Sequence, residues 1–505
     1  MPGGTAGPGS RGPGSTGSPS VVPSGAFDPA LPPEVQDLFD RLRSSGHQAF
    51  LVGGSLRDRL LGRSPVDWDL ATDARPERIV ELFPSARYEN AFGTVVVAAV
   101  MAGAGDGPSA DVPWGGVEIT TFRSDHEYAD FRRPHHVEFG DRIDLDLARR
   151  DFTVNALAWG GAAGDEPHLV DPFDGRADIE RRLLRAVGDP ATRFGEDALR
   201  MLRAARLAAG LDFTIEPATL AAMRSSAELA RHLSGERIHA EMGKLLGADR
   251  PSTGLHTLAD TEVLAAIAPV LAAQRGLAQN KAPGEDLWDH VLRSVDAAAG
   301  AGRGSTVRWA ALLHDIGKPS TAADGHFYGH ETVGAEMALD LLRGWHVGRE
   351  PAEEIAGLIR QHMFAYDPGW SDAAVRRFIA KVGRARLDDL LALREADNLG
   401  SGVPADAGAL TSLRERVAAE LAADVVLDLS ELAVDGDDLL AELDVLPGPV
   451  IGRILQGLLE RVVVDPALNR RSTLLALARE MASTMVGSTG GPTSRPAPAS
   501  SREAG

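Results

Sequence analysis

The residues best equipped for chemistry lie close together early in the chain: Val52-Gly53-Gly54-Ser55-Leu56-Arg57-Asp58, then Asp67-Trp68-Asp69. The double glycine follows a short apolar run and precedes a predicted helix over Leu56–Leu61. Glycines there let backbone N–H groups approach a triphosphate, and Arg57 adds a charged fork. Asp67 and Asp69 alternate along an extended segment, so both carboxylates point the same way. Paired carboxylates on one face of a strand hold Mg²⁺ ions that also bind substrate phosphates. Glu118, in the neighbouring run Val117-Glu118-Ile119-Thr120, is a candidate third carboxylate. Taken singly, Gly-Gly is most often a turn and Asp-x-Asp a solvated edge. Their order and distance together point to nucleotide chemistry.

A second constellation lies downstream: His290, His314-Asp315 and Asp397, with His330 and His362 as additional candidate ligands. Imidazoles and carboxylates drawn from several helices suit a divalent metal that polarises a phosphate and ionises a water. A lone histidine on a helix is more often core or surface. An adjacent His-Asp pair with partners before and after favours the metal. The identity of that metal is not legible.

These groups need elements to position them. Between Ala49 and Trp159, short apolar runs read as strands: Ala49–Val52, Thr94–Ala98 and Val117–Thr120. Ala102–Pro113 is rich in Gly and Asp and reads as a hairpin connection. From Ile179 onward strand signals nearly vanish, and Ala, Leu, Arg and Glu recur at helical spacing almost to Met485. Breaks fall at Gln274–Gly284 and Ala299–Ser305. The fold class is α+β: a small mixed-sheet head over 35–175, then all-α segments. These are a neck over 176–284, a histidine-bearing segment over 285–400 and a tail over 401–485. Residues 1–25 and 486–505 are Gly, Pro and Ser-rich and read as disordered.

Composition sets further bounds. The chain has 505 residues, 44% of them hydrophobic, enough for several cores. No stretch approaches the roughly 18 apolar residues of a membrane span, so no membrane partner is expected. Met1 is followed by a Gly/Pro/Ser tract rather than a signal-peptide pattern. There is no cysteine, which excludes disulfides, thiolate metal sites and cysteine nucleophiles, and agrees with a cytoplasmic location. A net charge of −20 argues against nucleic acid as a partner. The motifs reverse that argument, so a nucleic-acid surface must be a local basic stripe. Arg181, Arg182 and Arg185, and Arg376, Arg377, Lys381, Arg384 and Arg386, are such stripes, although each residue singly reads as a solvated helix face.

Leu51–Thr72 resembles the signature of the class II transfer-RNA nucleotidyltransferase and bacterial poly(A) polymerase superfamily. Four more segments match in order: Arg149-Arg150-Asp151-Phe152-Thr153-Val154-Asn155-Ala156, Asp189–Phe194, Glu196–Arg200 with Arg203 and Arg206, and Ser234–Ile238 through Glu241 and Lys244. The resemblance covers roughly 35–270. It implies attack by an RNA 3′-hydroxyl on the α-phosphate of CTP or ATP, with release of pyrophosphate. Asp67 and Asp69 would hold the metals, and Arg57, Arg149 and Arg150 would brace the triphosphate. Gly53, Gly54, Asp197, Arg200, Arg203 and Arg206 would lie near the nucleotide. The segment around Ala311–Pro319 is similar to the HD metal-dependent phosphohydrolase family.

Base choice follows from hydrogen-bonding character. Asp197 and Arg200 are expected at i, i+3 on one helix face. Ionised Asp only accepts and Arg only donates. Cytosine and adenine both present an amine beside a ring-nitrogen acceptor, whereas guanine and uracil present the reverse. The ordinary alternative is a surface ion pair. Thr121 to Phe139 resembles the flexible loop of full CCA-adding relatives and favours addition of C, C and A to transfer RNA. The rivals are a poly(A) polymerase of the same superfamily, an HD phosphohydrolase with a vestigial head, and a non-catalytic RNA-binding protein. Intact Asp67, Asp69, Arg150, Asp197 and Arg200 argue against the last two. Oligomeric state is not legible.

Overall fold

The structure is a computed structural model that describes residues 27–88, 93–97, 116–128, 134–279, 285–423, 425–443 and 448–487. Its chain contacts divide into two compact units, one reaching Ala273 and including Leu341–Val347, the other holding Gln274–Asp340 and the chain from Gly348. The expected hairpin connection Ala102–Pro113, the tail over 1–25 and residues 488–505 lie outside the described residues, whereas Val486 and Gly487, expected in the C-terminal tail, end the helix Arg471–Gly487.

The first unit is built on a seven-stranded sheet. Its strands are β1 (Ala49–Val52), β2 (Trp68–Thr72), β3 (Ala86–Tyr88), β4 (Thr94–Val97), β5 (Val117–Thr121), then, beyond a separate ribbon of β6 (Arg123–Tyr128) and β7 (Pro134–Phe139), β8 (Ala158–Gly161) and β9 (His168–Val170). Their order is β3-β4-β5-β2-β1-β8-β9. The sheet is mixed: β2 runs parallel to β5 and antiparallel to β1. Central β1 is apolar and buried at all four positions, as a strand covered on both faces must be. In β5 the alternation is clean: Val117, Ile119 and Thr121 are buried, while Glu118 and Thr120 take the other face. Asp69 is the register partner of Glu118 and therefore shares that open face. An apolar cluster of Phe50, Val52, Ala71, Phe122, Leu147 and Ala158 supports the sheet. Fully burying each large side chain there contributes about 1.5–3 kcal/mol.

Three local expectations change. The helix after β1 begins at Gly53 itself and runs to Leu60, because Gly53 turns the chain through φ +67° directly into it. Asp67 precedes β2 rather than lying within it, and is exposed. Beyond Ile179 two short strands, β10 (Leu183–Leu184) and β11 (Thr214–Ile215), pair in parallel and join the ends of the neck helices. They are too short to give a periodic signal.

In the second unit, helices Leu287–Gly300, Ser305–Leu313, Arg349–Gln361 and Leu387–Gly400 carry the histidine segment. The first starts with a reciprocal capping box: Asp289 N–H donates to Asp286 Oδ1 at 2.9 Å and Asp286 N–H to Asp289 Oδ2 at 3.2 Å. Toward the C-terminus, Leu439, Ile454, Leu458, Val462, Leu474 and Ala478 make a separate apolar core.

Candidate nucleotide site and metal cluster

At the C-terminal end of β1 the backbone turns at Gly53 against two charged groups. A Cβ there would sit 2.9 Å from Arg150 Nη1 and 3.3 Å from Asp69 Oδ2. The positive φ of +67° favours glycine here, and a larger residue would also press on the tips of both charged side chains. The turn borders a cavity of about 500 Å³ whose lining includes Gly53, Gly54, Asp69, Glu118, Arg149 and Arg150, together with Asp197, Arg200, Arg203 and Arg237. Residues separated by as many as 184 positions (53 to 237) thus face one space. Its lining includes neither Asp67, Arg57 nor Arg206 among the described residues.

The carboxylates of the head form an electrostatic knot. Burial raises the Asp69 pKa; Asp67 and Asp58 raise it further, while Arg150 and Arg57 oppose the rise. Such a group is relieved by a cation at its oxygens, and Glu118 on the adjacent strand supplies a second carboxylate face. The donor set fits a hard divalent ion. Arg57 is buried, donating Nη1–H to Asn155 Oδ1 at 2.7 Å and pairing with Asp58 at 2.8 Å.

Arg203 and Arg206 are anchored to carboxylates that motif spacing alone did not single out. Arg203 meets buried Asp151 at 2.7 Å, and Arg206 meets buried Glu241 at 2.7 Å. Asp151 also accepts from Phe152 N–H at 2.8 Å and from Asn155 Nδ2 at 3.1 Å. Burial disfavours its charge, yet Arg203 and Asn155 outweigh this and hold its pKa far below the usual carboxylate range.

Asp197 and Arg200 are brought together, but not on one helix. Helix Pro190–Glu196 ends at Asp197, whose backbone is extended (φ −148°, ψ 105°), and Leu199–Leu211 starts a new helix. Asp197 Oδ1 accepts from Leu199 N–H at 3.0 Å, the local hydrogen bond by which a short acidic side chain breaks a helix and starts the next. Its Oδ2 accepts from Arg237 Nη2 at 2.6 Å. Arg200 donates to Glu196 at 2.7 Å and to the carbonyls of Arg193 and Arg149 at 3.2 and 2.9 Å. These bonds engage three of its five N–H groups.

Sequence spacing also left Asp146, Asn155 and Arg237 without a role. The signal for Asp146 is present in retrospect: it stands three and four residues before Arg149 and Arg150, the spacing of one helix face. Arg237 carries no such local signal, because its partner is 40 residues away. Of the basic stripes, Arg185, Arg376 and Arg384 pair internally with Asp178, Glu420 and Glu431.

The histidine segment converges on Asp315. Its Oδ2 lies 3.4 Å from His290 Nε2 and 3.2 Å from His314 Nε2; its Oδ1 lies 3.3 Å from His330 Nε2 and 3.7 Å from His362 Nε2. Asp397 Oδ1 is 3.3 Å from His290 Nε2. All six residues are buried. The ligand atoms fall into two groups, His290 with His314 and Asp397, and Asp315 with His330 and His362, each within 4.8 Å. Nδ1–H of His314, His330 and His362 donates to the carbonyls of Ala311, Phe327 and Ile359 at 2.9, 2.7 and 2.7 Å. A carbonyl only accepts, so these bonds leave Nε2 as the lone-pair atom facing inward in the neutral ring, the usual orientation of a metal ligand. Burial pushes His362 down to about 3, with His314 adding to the shift. Burial opposes ionisation of Asp315, but His314, His290 and His330 outweigh it and hold its pKa well below the ordinary value.

With this geometry in hand, comparison with known proteins is direct. Residues 49–185 match the Poly A polymerase head domain, 212–275 the probable RNA and SrmB-binding site of polymerase A, and 287–401 the HD domain. The class is therefore a nucleotidyltransferase head followed by RNA-binding and HD segments. The CCA-adding enzyme of Lactococcus lactis subsp. cremoris is 32% identical over 450 residues, 89% of this chain and 96% of its own. That of Limosilactobacillus fermentum is 33% identical over 460 residues, 90% of this chain and 97% of its own. The crystal structure of the Bacillus stearothermophilus CCA-adding enzyme in complex with CTP superposes with a TM-score of 0.65 at 29% identity, covering 91% of this chain and 100% of that one. The chain belongs to the family of CCA-adding enzymes.

The Asp151 pair has a measurable consequence. Asp151→Asn leaves Arg203 without its charged partner, and should lower the unfolding free energy of the head by about 2–3 kcal/mol. That is less than the ~3–5 kcal/mol of a fully buried pair, because Arg203 keeps 34% of its side chain in water. A depressed carboxylate pKa stabilises above the unfolded value of about 3.9 and loses this contribution as pH falls toward the folded value. The difference between wild type and variant should be full at pH 6 and shrink below about pH 4. Denaturant titrations at both pH values check it; a pH-independent difference excludes the ion pair as its source.

Proposed function

We propose that this chain adds C, C and A to the 3′ end of transfer RNA from CTP and ATP, without a nucleic-acid template. One observation carries the reading: a single cavity unites the Gly53–Gly54 turn, the Asp69 and Glu118 carboxylates, Arg149 and Arg150, and the Asp197–Arg200 pair. The relatives are CCA-adding enzymes along almost their whole length, which favours this over poly(A) addition. The test is to incubate the protein with transfer RNA ending before CCA, Mg²⁺ and each nucleotide singly and together, then sequence the 3′ ends. Ends that stop at CC, or carry A runs, overturn the reading.

In this scheme Gly53 and Gly54 leave room for phosphate, and Arg149 and Arg150 balance its charge as pyrophosphate leaves. Asp69, with Asp67 and Glu118, would hold Mg²⁺, which when bound lowers the pKa of the attacking hydroxyl and neutralises the leaving group. Asp197 accepts from the exocyclic amine of cytosine or adenine, and Arg200 donates to the ring nitrogen. Guanine and uracil would leave both contacts unpaired or repulsive. Arg203 and Arg206 hold the wall of this pocket through Asp151 and Glu241. In the second unit His290, His314, Asp315 and Asp397, with His330 and His362, would hold a divalent metal of phosphohydrolase type. A cytoplasmic, reducing setting agrees with 505 residues without cysteine.

Asp67→Ala and Asp69→Ala should each reduce nucleotide addition below a tenth of normal turnover with the fold intact, since a lost metal ligand removes several kcal/mol of transition-state stabilisation. Single-turnover rates with circular dichroism check this, and near-normal turnover removes the residue from the metal site. His314→Ala with Asp315→Ala should abolish metal uptake by the HD segment and any phosphodiesterase activity, yet spare CCA addition. Metal analysis beside an addition assay decides it. Asp197→Asn gives the selecting position an amide that can donate to uracil O4. Discrimination against UTP should fall by about 1–3 kcal/mol, with CTP use reduced as well. The ratio of kcat/KM for UTP and CTP reads this directly; an unchanged ratio makes Asp197 structural.

A further inference from the structure

Arg149 and Arg150 are consecutive, and two guanidinium groups side by side repel each other. Both nevertheless turn to one side chain. Asp146, in the helix Ile143–Ala148, is 1% exposed. Its Oδ1 accepts from Arg149 Nε and Nη2 at 3.0 and 2.6 Å, and its Oδ2 accepts from Arg150 Nη2 at 3.2 Å. Burial opposes the Asp146 charge, but the two arginines outweigh it and hold the pKa below its ordinary value. Asp146 is not in the cavity lining, whereas both arginines are.

The two arginines lead from Asp146 to opposite ends of the cavity. Arg150 Nη1 reaches the Gly53 turn, where a Cβ would lie only 2.9 Å away. The carbonyl of Arg149 accepts from Arg200 Nη2 at 2.9 Å. One carboxylate therefore fixes the cations at the phosphate end, and through the Arg149 backbone it steadies a residue at the base end.

We propose that Asp146 is a positioning residue for nucleoside triphosphate: it holds Arg149 and Arg150 in the orientation that grips the pyrophosphate portion, without touching the nucleotide itself. The inference rests on the nucleotide-site reading above. A neutral side chain of the same shape removes the attraction that overcomes arginine–arginine repulsion, so the guanidiniums swing away from the phosphates.

The test is Asp146→Asn in the full-length protein, with inorganic pyrophosphate as the probe. The KM values for CTP and ATP should rise together about tenfold, the usual order for one charge-assisted contact, and the inhibition constant of pyrophosphate should rise to match. The KM for transfer RNA should stay within about twofold. Added to Arg149→Ala/Arg150→Ala, the same substitution should cost nothing further, because its effect runs through those two residues. An unchanged pyrophosphate constant overturns the proposal, as does a full additive loss in the arginine-free background. If Asp146→Asn alone fails to fold, the unscreened arginines are the expected cause, and the triple variant should fold; a triple variant that stays unfolded overturns the proposal too. Wild-type protein that binds neither CTP nor pyrophosphate would instead overturn the nucleotide-site reading itself.

Discussion

A cavity that grips a triphosphate must crowd several arginines, and crowded arginines are stable only where buried carboxylates stand behind them. The first unit meets this constraint repeatedly. Asp146 serves Arg149 and Arg150, Asp151 serves Arg203, and Glu241 serves Arg206. Each carboxylate is buried and each arginine is partly open. The desolvation cost therefore falls mainly on the acid, which the arginine offsets. The overall charge of −20 is compatible with a polyanionic substrate for this reason: acids lie behind the cations as well as on the surface.

The same network joins the motifs to one another. Asp151, in the second motif, reaches Arg203 in the fourth; Asp197, in the fourth, reaches Arg237 in the fifth. The sheet supplies the cavity's carboxylates Asp69 and Glu118 through β2 and β5, and the neck supplies Asp197 and Arg200. Ion pairs tie the two within one unit. Losing one partner exposes an uncompensated charge rather than a simple void, so damage at one motif propagates to the next.

Much of this was legible in the sequence, and what was missed has a physical pattern. Strands β1, β4 and β5 are short apolar runs, β1 buried throughout and β4 and β5 alternating, so Ala49–Val52 and Val117–Thr121 were readable from residue type. Asp69, Glu118, Asp315 and the five His and Asp residues around it are chemical types that announce themselves. Three features did not. Asp67 lies just before β2, and the Pro65-Val66-Asp67 approach gives no signal for where pairing begins. The break at Asp197 depends on a side chain capping the next helix, which Glu-Asp-Ala-Leu-Arg read as continuous helix conceals. Arg57 faces Asn155, 98 residues away, and no local pattern reports which side of a helix turn meets a distant loop.

The HD segment shows the complementary case, a site whose donors were legible and whose division was not. Asp315 sits between two sets of ligands because its two oxygens point to different helices, Oδ2 toward His290 and His314 and Oδ1 toward His330 and His362. Spacing along the chain cannot show this; it requires four helix ends to meet. The carbonyls of Ala311, Phe327 and Ile359 fix three imidazoles by bonds to the third residue back along the chain. Those bonds need no distant partner, so each ring is oriented by its own helix end or turn before the helices pack. Buried lone pairs then converge on a carboxylate in a water-poor core, an arrangement that is costly when bare and favourable around a cation. The two halves of the chain thus solve opposite problems. The first unit lines its cavity with cations backed by acids, and the HD segment gathers imidazole lone pairs backed by carbonyls around a carboxylate.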